Sequence, residues 1–139
     1  GDIYRPARFG GEVSLFSVSG RELRDIFEHA FRYLPDESGA FVQVSGLIIR
    51  VAPTLPAGQR VTSMRLAVSP CLGFREIEPD DELMLAVNDY LASGGDGFPH
   101  LHGKAKQAAD VPLREALIKH LNKRGSGYYS GRPMRIICD

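Results

Sequence analysis

The sequence predicts a single α+β domain over residues 1–139, and three observations lead to that prediction. A chain of 139 residues has the usual length of one domain. Hydrophobic residues make up 43% and charged residues 24% of the chain, which are globular values. Strand-like stretches are interleaved with two stretches of helical periodicity, and turns between neighbouring strands favour antiparallel pairs.

The N-terminal part predicts a strand followed by the clearest helix of the chain. Residues 12–18 are rich in β-branched and aromatic side chains, as in a strand. Ser19 and Glu22 have the spacing of a capping box, which begins a helix. Pro35 should end that helix at Leu34. Its apolar residues form one stripe at helical spacing: Leu23, Ile26, Phe27, Ala30, Phe31 and Leu34.

The middle of the chain predicts short strands. Residues 40–44 should form one, and residues 47–52 and 60–68 should pair as a hairpin around the turn at 53–58. Residues 69–81, with two prolines, indicate an irregular connection, and residues 82–87 indicate another strand.

The C-terminal part predicts a second helix between two irregular segments. Residues 88–93 suit one helical turn, residues 94–97 cannot be regular, and the polar residues 104–109 suggest a mobile segment. Asp110 is a plausible N-cap for a helix over residues 111–124, with Pro112 in the first turn. Residues 134–138 predict a final strand.

Composition and charge exclude several classes of protein. Lys and Arg number 17 and so do Asp and Glu, so the net charge is zero and nucleic-acid binding is disfavoured. No stretch approaches the apolar length of a membrane span. The Walker loop, the G-x-S-x-G elbow and the HExxH motif are absent. Gly1 in place of an initiator methionine suggests a cut end, so we expect a piece of a longer protein.

The residues that ligate metals are few and weakly patterned. His100 and His102 would point to one face of a strand, but a site needs a third or fourth ligand, for which Asp96 and Cys71 are conceivable. Two exposed loop histidines are the expected outcome, and a small metal-binding protein is the rival hypothesis. Cys71 and Cys138 either pair or remain buried thiols.

The segment from Val87 to Phe98 is the most informative. Its glycines around Asp96 allow positive φ angles and a close approach to a ligand. The loop delivers Phe98, whose ring either contacts a ligand or is tucked into the core, and the residues leave both open. Phe41, beside another glycine break, is a second such ring. Two rings of this kind could hold a flat ligand, with Asn88 among the polar groups that add selectivity.

Five segments, in order, resemble the C-terminal domain of 5′-nucleotidases. Residues 87–98 resemble its N-x-x-L-A-x-G-G-D-G-[FY] signature, and residues 39–46 its G-x-F-x-Q-x-S-G strand. Three shorter matches are Phe9-Gly10-Gly11, Ser19-Gly20 with Leu23, Phe27 and Glu28, and Gly58-Gln59-Arg60-Val61. The resemblance covers roughly residues 9–101. It implies an α+β fold of mixed or antiparallel sheets layered with helices.

The resemblance also implies a function for particular residues. Phe41 and Phe98 would stack the base of a nucleotide or nucleoside, while Gly95, Asp96 and Gly97 would shape the loop behind Phe98. Asn88, with Gln43 and Ser45 as weaker candidates, would contact the ligand or hold the pocket.

In the family, an N-terminal metallophosphoesterase domain with two divalent metal ions performs the hydrolysis. This chain has none of its metal-ligand motifs and lacks the N-x-G-x-x-R segment, so we expect the chain alone to be inactive and to hold no cofactor. The resemblance implies an extracellular or periplasmic parent protein. The alternative is a stand-alone nucleoside-binding or protein-interaction module without catalysis.

Overall fold

The computed structural model describes residues 11–69, 73–98, 101, 104, 107–124 and 135–139. The chain divides into two compact units. The first comprises Gly1–Ser17 with Met84–Arg132, and the second Val18–Leu83 with Pro133–Asp139. The elements, in chain order, are β1 (Glu12–Ser19), α1 (Gly20–Ala30), β2 (Leu47–Val51), β3 (Val61–Ser69), β4 (Gly73–Glu76), β5 (Glu82–Asn88), α2 (Asp89–Ala92), a 3₁₀ turn (Gly95–Gly97), β6 (Gln107–Pro112), α3 (Leu113–Arg124) and β7 (Ile136–Cys138). This arrangement confirms the α+β class.

The first unit is built on a three-stranded sheet in the order β5-β1-β6. β1 and β6 are antiparallel, and their register shifts between Val13 and Ser14. α3 follows β6 directly, and the amide of Leu113 donates to the carbonyl of Gly11 at 2.8 Å.

The predicted start of α3 was wrong, because residues 107–112 form a strand where a mobile segment and a helix start at residue 111 were expected. The backbone of this segment pairs with β1, and that pairing makes it a strand. Pro112 is the last strand residue and lies on the edge strand, where the missing amide hydrogen removes no inner ladder bond.

The second unit is built on a four-stranded mixed sheet in the order β4-β3-β2-β7. β2 and β3 form the predicted antiparallel hairpin, and β2 pairs in parallel with β7. Its core is made of apolar side chains that are almost inaccessible to solvent: Val18, Leu23, Ile26, Phe27, Ala30, Phe31, Ala40, Leu47, Ile49, Val51, Val61, Met64 and Ile77.

The capping box of α1 is present as predicted, but the helix ends at Ala30 instead of Leu34. The hydroxyl of Ser19 accepts from the amide of Glu22 at 3.2 Å, and the Glu22 carboxylate accepts from the amide of Ser19 at 2.8 Å. At the other end, Pro35 has no amide hydrogen to donate to the carbonyl of residue 31. The Phe31 carbonyl accepts from Nη1 of Arg60 at 2.7 Å and from the amide of Leu34 at 3.2 Å.

Two further predictions of strands need correction. Residues 40–44 are not a strand, and the carbonyl of Val44 accepts from Nη1 of Arg135 at 2.5 Å instead of from a neighbouring ladder. The connection over residues 69–81 contains β4, which pairs antiparallel with β3. Every residue of β4 is exposed. The strand therefore lacks the alternation of buried and exposed positions by which a sequence predicts a strand.

Within the described part of the chain, no helix combines the length and the apolar character that a bilayer crossing requires.

Candidate functional site

Phe41 forms one wall of an open cleft in the second unit. The cleft has a volume of about 590 Å³, and it is lined by Leu34, Pro35, Asp36, Glu37, Ser38, Gly39 and Phe41. The side chain of Phe41 is 37% exposed, an unusual state for a phenylalanine. The sequence predicted a ligand-contacting ring at this position, and the structure places the ring where a ligand could reach it.

A buried ring supports Phe41 from behind. The ring centroids of Phe31 and Phe41 lie 5.5 Å apart at an interplanar angle of 60°. Phe31 is fully buried, and it stacks in turn on Phe27 with 6.0 Å between centroids. Phe41 is therefore held against the core on one side while part of its surface faces the cleft.

A folded-back polar loop also lines the cleft. The amide of Asp36 donates to the carbonyl of Tyr33 at 2.8 Å, and the amide of Phe41 donates to the carbonyl of Ser38 at 3.1 Å. The hydroxyl of Ser38 accepts from the amide of Ala40 at 3.2 Å. These turns leave the exposed side chains of Asp36 and Glu37 on the cleft wall as hydrogen-bond acceptors.

The glycine-rich loop of the first unit has the left-handed backbone that its sequence predicts. Gly94 and Gly97 have φ angles of +92° and +76°, and Asp96 has φ +51°. Phe98 follows the 3₁₀ turn and is only 3% exposed. The ring of Phe98 is therefore buried in this structure, and its contact with a ligand remains a prediction.

Tyr90 is the residue of this loop that sequence reasoning missed. Its hydroxyl donates to Oδ1 of Asp96 at 3.0 Å. A Cβ atom at Gly95 would lie 2.5 Å from Cε1 of Tyr90, so the tyrosine ring occupies the space of a side chain there. The family signature leaves position 90 unspecified, so no motif pointed to it.

Asn88 and Gly11 both contact α2, the helical turn that precedes the glycine loop. Oδ1 of Asn88 accepts from the amide of Leu91 at 2.9 Å and caps α2. Gly11, at φ +101°, lies so close to Asp89 that an added Cβ would be 2.3 Å from Oδ1 of that carboxylate. Asn88 thus caps the helical turn before the glycine loop, and its role toward a ligand stays a prediction.

Glu28 organises the turn that resembles G-x-R-V. Its carboxylate accepts from the amide of Val61 at 2.7 Å and from the amide of Arg60 at 3.0 Å. Arg24 donates to the carbonyl of Val61 at 2.5 Å. A buried carboxylate that accepts two amides is a framework group, and it links two of the family motifs in space.

The metal hypothesis gains no support from the described residues. Among them, no group of three or more His, Cys, Asp and Glu side chains is placed to hold a metal ion. His100, His102 and Cys71 lie outside the described residues. Cys138 is a free, exposed thiol.

The clearest perturbation of titratable groups lies outside the cleft and the glycine loop. Arg75 donates to Oδ2 of Asp81 at 2.6 Å, and the amide of Glu78 donates to the same oxygen at 2.9 Å. The hydrogen bond from Arg75, followed by the one from the amide of Glu78, lowers the pKa of Asp81. The hydrogen bond to Asp81 raises the pKa of Arg75.

Known proteins resemble this chain in sequence and in fold. A family model described as "5'-nucleotidase, C-terminal domain" matches residues 1–103. This chain belongs to that family. The glycine loop, the capped helix at Ser19 and the Phe41 segment all lie within the matched residues.

Individual relatives agree with the family. A 5′-nucleotidase of Diplobatis ommata is 28% identical over 119 residues, which cover 81% of this chain and 21% of that protein. A snake venom 5′-nucleotidase of Naja atra is 27% identical, over 84% of this chain and 22% of that protein. The crystal structure of a 5′-nucleotidase precursor from Thermus thermophilus superposes with a TM-score of 0.90 at 24% identity, over 99% of this chain and 27% of that one. The chain thus spans about a fifth of the length of these two curated relatives, and the structural match confirms the fold.

Proposed function

We propose that this chain is the nucleotide-recognition domain of a 5′-nucleotidase-like phosphohydrolase, and that it binds the base of a nucleotide or nucleoside at the cleft beside Phe41. The observation that carries the proposal is a half-exposed phenylalanine, backed by a buried ring, on the wall of a cleft of about 590 Å³ in a member of this family.

Stacking is the interaction that such a ring provides. A base on an aromatic side chain gains roughly 1–3 kcal/mol, and every base has a flat face to offer. Because Phe31 packs against Phe41 from the core side, the ring loses little freedom when a base binds. The carboxylates of Asp36 and Glu37 would accept hydrogen bonds from amino groups on the edge of the base.

Phe98 would supply the second face of the base. Gly95, Asp96 and Gly97 shape the loop before it, and Asn88 caps the turn that leads into that loop. Since Phe98 is 3% exposed, a base would reach its ring only after the residues that cover it move aside.

Hydrolysis of the phosphate ester would occur outside this chain. The longer relatives and the family resemblance support a separate metallophosphoesterase domain that holds two divalent metal ions and uses this domain to hold its substrate. The relative found in snake venom supports an extracellular or periplasmic location for the parent protein.

The test is isothermal titration calorimetry with adenosine and with AMP on the wild-type chain, Phe41→Leu and Phe74→Leu. Phe74, on β4, is 40% exposed and matches Phe41 in exposure without lining the cleft. We expect Phe41→Leu to weaken binding about tenfold or more and Phe74→Leu to leave it unchanged. Equal affinity in all three proteins, or no binding by the wild type at millimolar ligand, would contradict the proposal.

A further inference from the structure

We infer that Tyr90 is a positioning residue for the loop that carries Phe98, and that it acts through its hydrogen bond to Asp96. The consequence for ligand affinity rests on the proposed function, whereas the consequence for the loop itself does not.

The ring of Tyr90 and the loop fit each other closely. An added Cβ at Gly95 would lie between 2.5 and 2.6 Å from three ring atoms of Tyr90. The loop backbone at Gly95 therefore packs directly on the tyrosine ring, at a distance that only glycine allows. Because the ring extends alongside the loop, its hydroxyl reaches Oδ1 of Asp96 at 3.0 Å.

Asp96 needs that support because of its backbone conformation. It is the only residue other than glycine with a positive φ among those that the structure describes, at +51°. A left-handed conformation costs an L-residue free energy that surrounding contacts must offset. The bond from Tyr90 holds the Asp96 side chain while the backbone makes this turn.

Tyr90 is itself fixed at its backbone. Its amide donates to Oδ1 of Asp89 at 3.0 Å, and its carbonyl accepts from the hydroxyl of Ser93 at 2.9 Å. Asn88 caps the same helical turn. The Tyr90 side chain is exposed, but its backbone is anchored, its ring packs on Gly95 and its hydroxyl bonds to Asp96.

The geometry that results leads to Phe98. The amide of Gly97 donates to the carbonyl of Gly94 at 3.2 Å, and the amide of Phe98 donates to the carbonyl of Gly95 at 3.1 Å. Both bonds close the turn that contains Asp96. Loss of the Tyr90 hydroxyl should therefore weaken both of these hydrogen bonds. The backbone orientation of Phe98 would then be less fixed.

The first experiment measures amide hydrogen exchange of Gly97 and Phe98 by NMR in the wild-type chain, Tyr90→Phe and Tyr33→Phe. Tyr33 is a matched control, since it is 53% exposed where Tyr90 is 55% exposed. For loss of one hydrogen bond we expect exchange at both amides to rise about threefold to tenfold in Tyr90→Phe. Tyr33→Phe should show no change at these amides. Unchanged exchange in Tyr90→Phe would overturn the inference.

A conservative variant separates positioning from charge. Asn at position 96 keeps an oxygen acceptor and tolerates the left-handed conformation. Asp96→Asn should therefore retain most of the protection of Phe98, and the combination of Asp96→Asn with Tyr90→Phe should lose it. If Asp96→Asn alone loses the protection, the carboxylate charge and not the bond from Tyr90 holds the loop, and the inference is wrong.

The ligand arm measures adenosine affinity by calorimetry in the same proteins. We expect the dissociation constant to rise about threefold to tenfold in Tyr90→Phe, because the looser loop must be ordered on binding. Faster exchange with unchanged affinity would overturn the link to the ligand. A wild-type chain that binds no nucleoside would instead reject the proposed function, and the exchange rates would still decide the role of Tyr90.

Discussion

The buried carboxylate of Glu28 accepts the amide hydrogen of Val61 across 2.7 Å, and its second oxygen accepts the neighbouring amide of Arg60. These bonds join helix α1 to the start of strand β3, which are 33 residues apart in the sequence. Arg60 continues the connection, since its guanidinium donates to the Phe31 carbonyl that Pro35 leaves without its helical donor. Glu28 and Arg60 therefore connect α1, the Phe31 carbonyl and the start of β3 by hydrogen bonds.

Removal of that acid should destabilise the fold. Hydrogen bonds to charged groups contribute about 1.5–3 kcal/mol each, and Glu28→Ala leaves two amides without their acceptor. We expect the free energy of unfolding to fall by about 2–5 kcal/mol in urea denaturation. Glu37→Ala, at an exposed position, is the control and should change it by less than about 0.5 kcal/mol. A loss below about 1 kcal/mol in Glu28→Ala would show that the bonds are replaced by water.

Gly20 should tolerate no side chain. An added Cβ would lie 2.0 Å from the carbonyl oxygen of Glu78, and the Gly20 amide already donates to the carbonyl of Asp81 at 2.9 Å. Because backbone atoms on both sides cannot yield cheaply, we expect Gly20→Ala to cost about 3 kcal/mol or more of stability.

A second glycine separates this steric cost from conformational strain. Gly46 has φ +81° with open space around it, so Gly46→Ala should cost only about 1–2 kcal/mol. Thermal or urea unfolding of both variants makes the comparison. Equal losses in the two would show that the contact of Gly20 with Glu78 is relieved by movement of the chain.

The pair of Arg75 and Asp81 should make stability depend on acid. Its hydrogen bonds lower the pKa of Asp81 below the ordinary 3.8, so the ionised form is favoured in the folded state. The contribution is therefore fully present above the pKa of the unfolded chain, and it is lost as the pH falls through the lower pKa of the folded chain. The ion pair lies at the surface, with the Arg75 side chain 45% and the Asp81 side chain 23% exposed, so solvent screening should keep the effect small.

The measurement compares urea unfolding of the wild type and Asp81→Asn as a function of pH. The stability difference between them should be constant near neutrality and should shrink as the pH falls below the ordinary carboxyl value. A difference that grows on acidification would show that the sign of the shift is wrong.

Sequence patterning predicted those elements whose burial follows a regular period. The capping box of Ser19 and Glu22, the stripe that includes Leu23 and Phe27, and the hairpin of β2 and β3 are all present. In each, local signals and tertiary packing favour the same structure.

Prediction failed where pairing or a distant side chain decides the structure. The exposed strand β4 and the strand β6 are strands because they pair with β3 and β1, and neither sequence alternates between apolar and polar residues. Just beyond the end of α1, the Phe31 carbonyl accepts a hydrogen bond from Arg60, which is 29 residues away in the sequence.

In the candidate site, too, some residues could be predicted from the sequence and others could not. Phe41, Asn88 and the glycines of the loop could be chosen from a sequence motif, and the half-exposed Phe41 does line a cleft. Tyr90 and Phe31 could not, because their roles depend on contacts with Asp96 and Phe41 that only the fold creates. Burial of Phe98 is likewise a tertiary property, which a loop sequence does not reveal.

The central claim is that a base stacks on Phe41, and an NMR titration of the chain with adenosine tests it most directly. We expect upfield ring-current shifts of the adenine protons and of the Phe41 ring protons, together with shifts at the amides of residues 36–39, which also line the cleft. All of these should vanish in Phe41→Leu. Saturable shifts that leave the Phe41 ring protons unchanged, or an unchanged spectrum at millimolar adenosine, would contradict this claim.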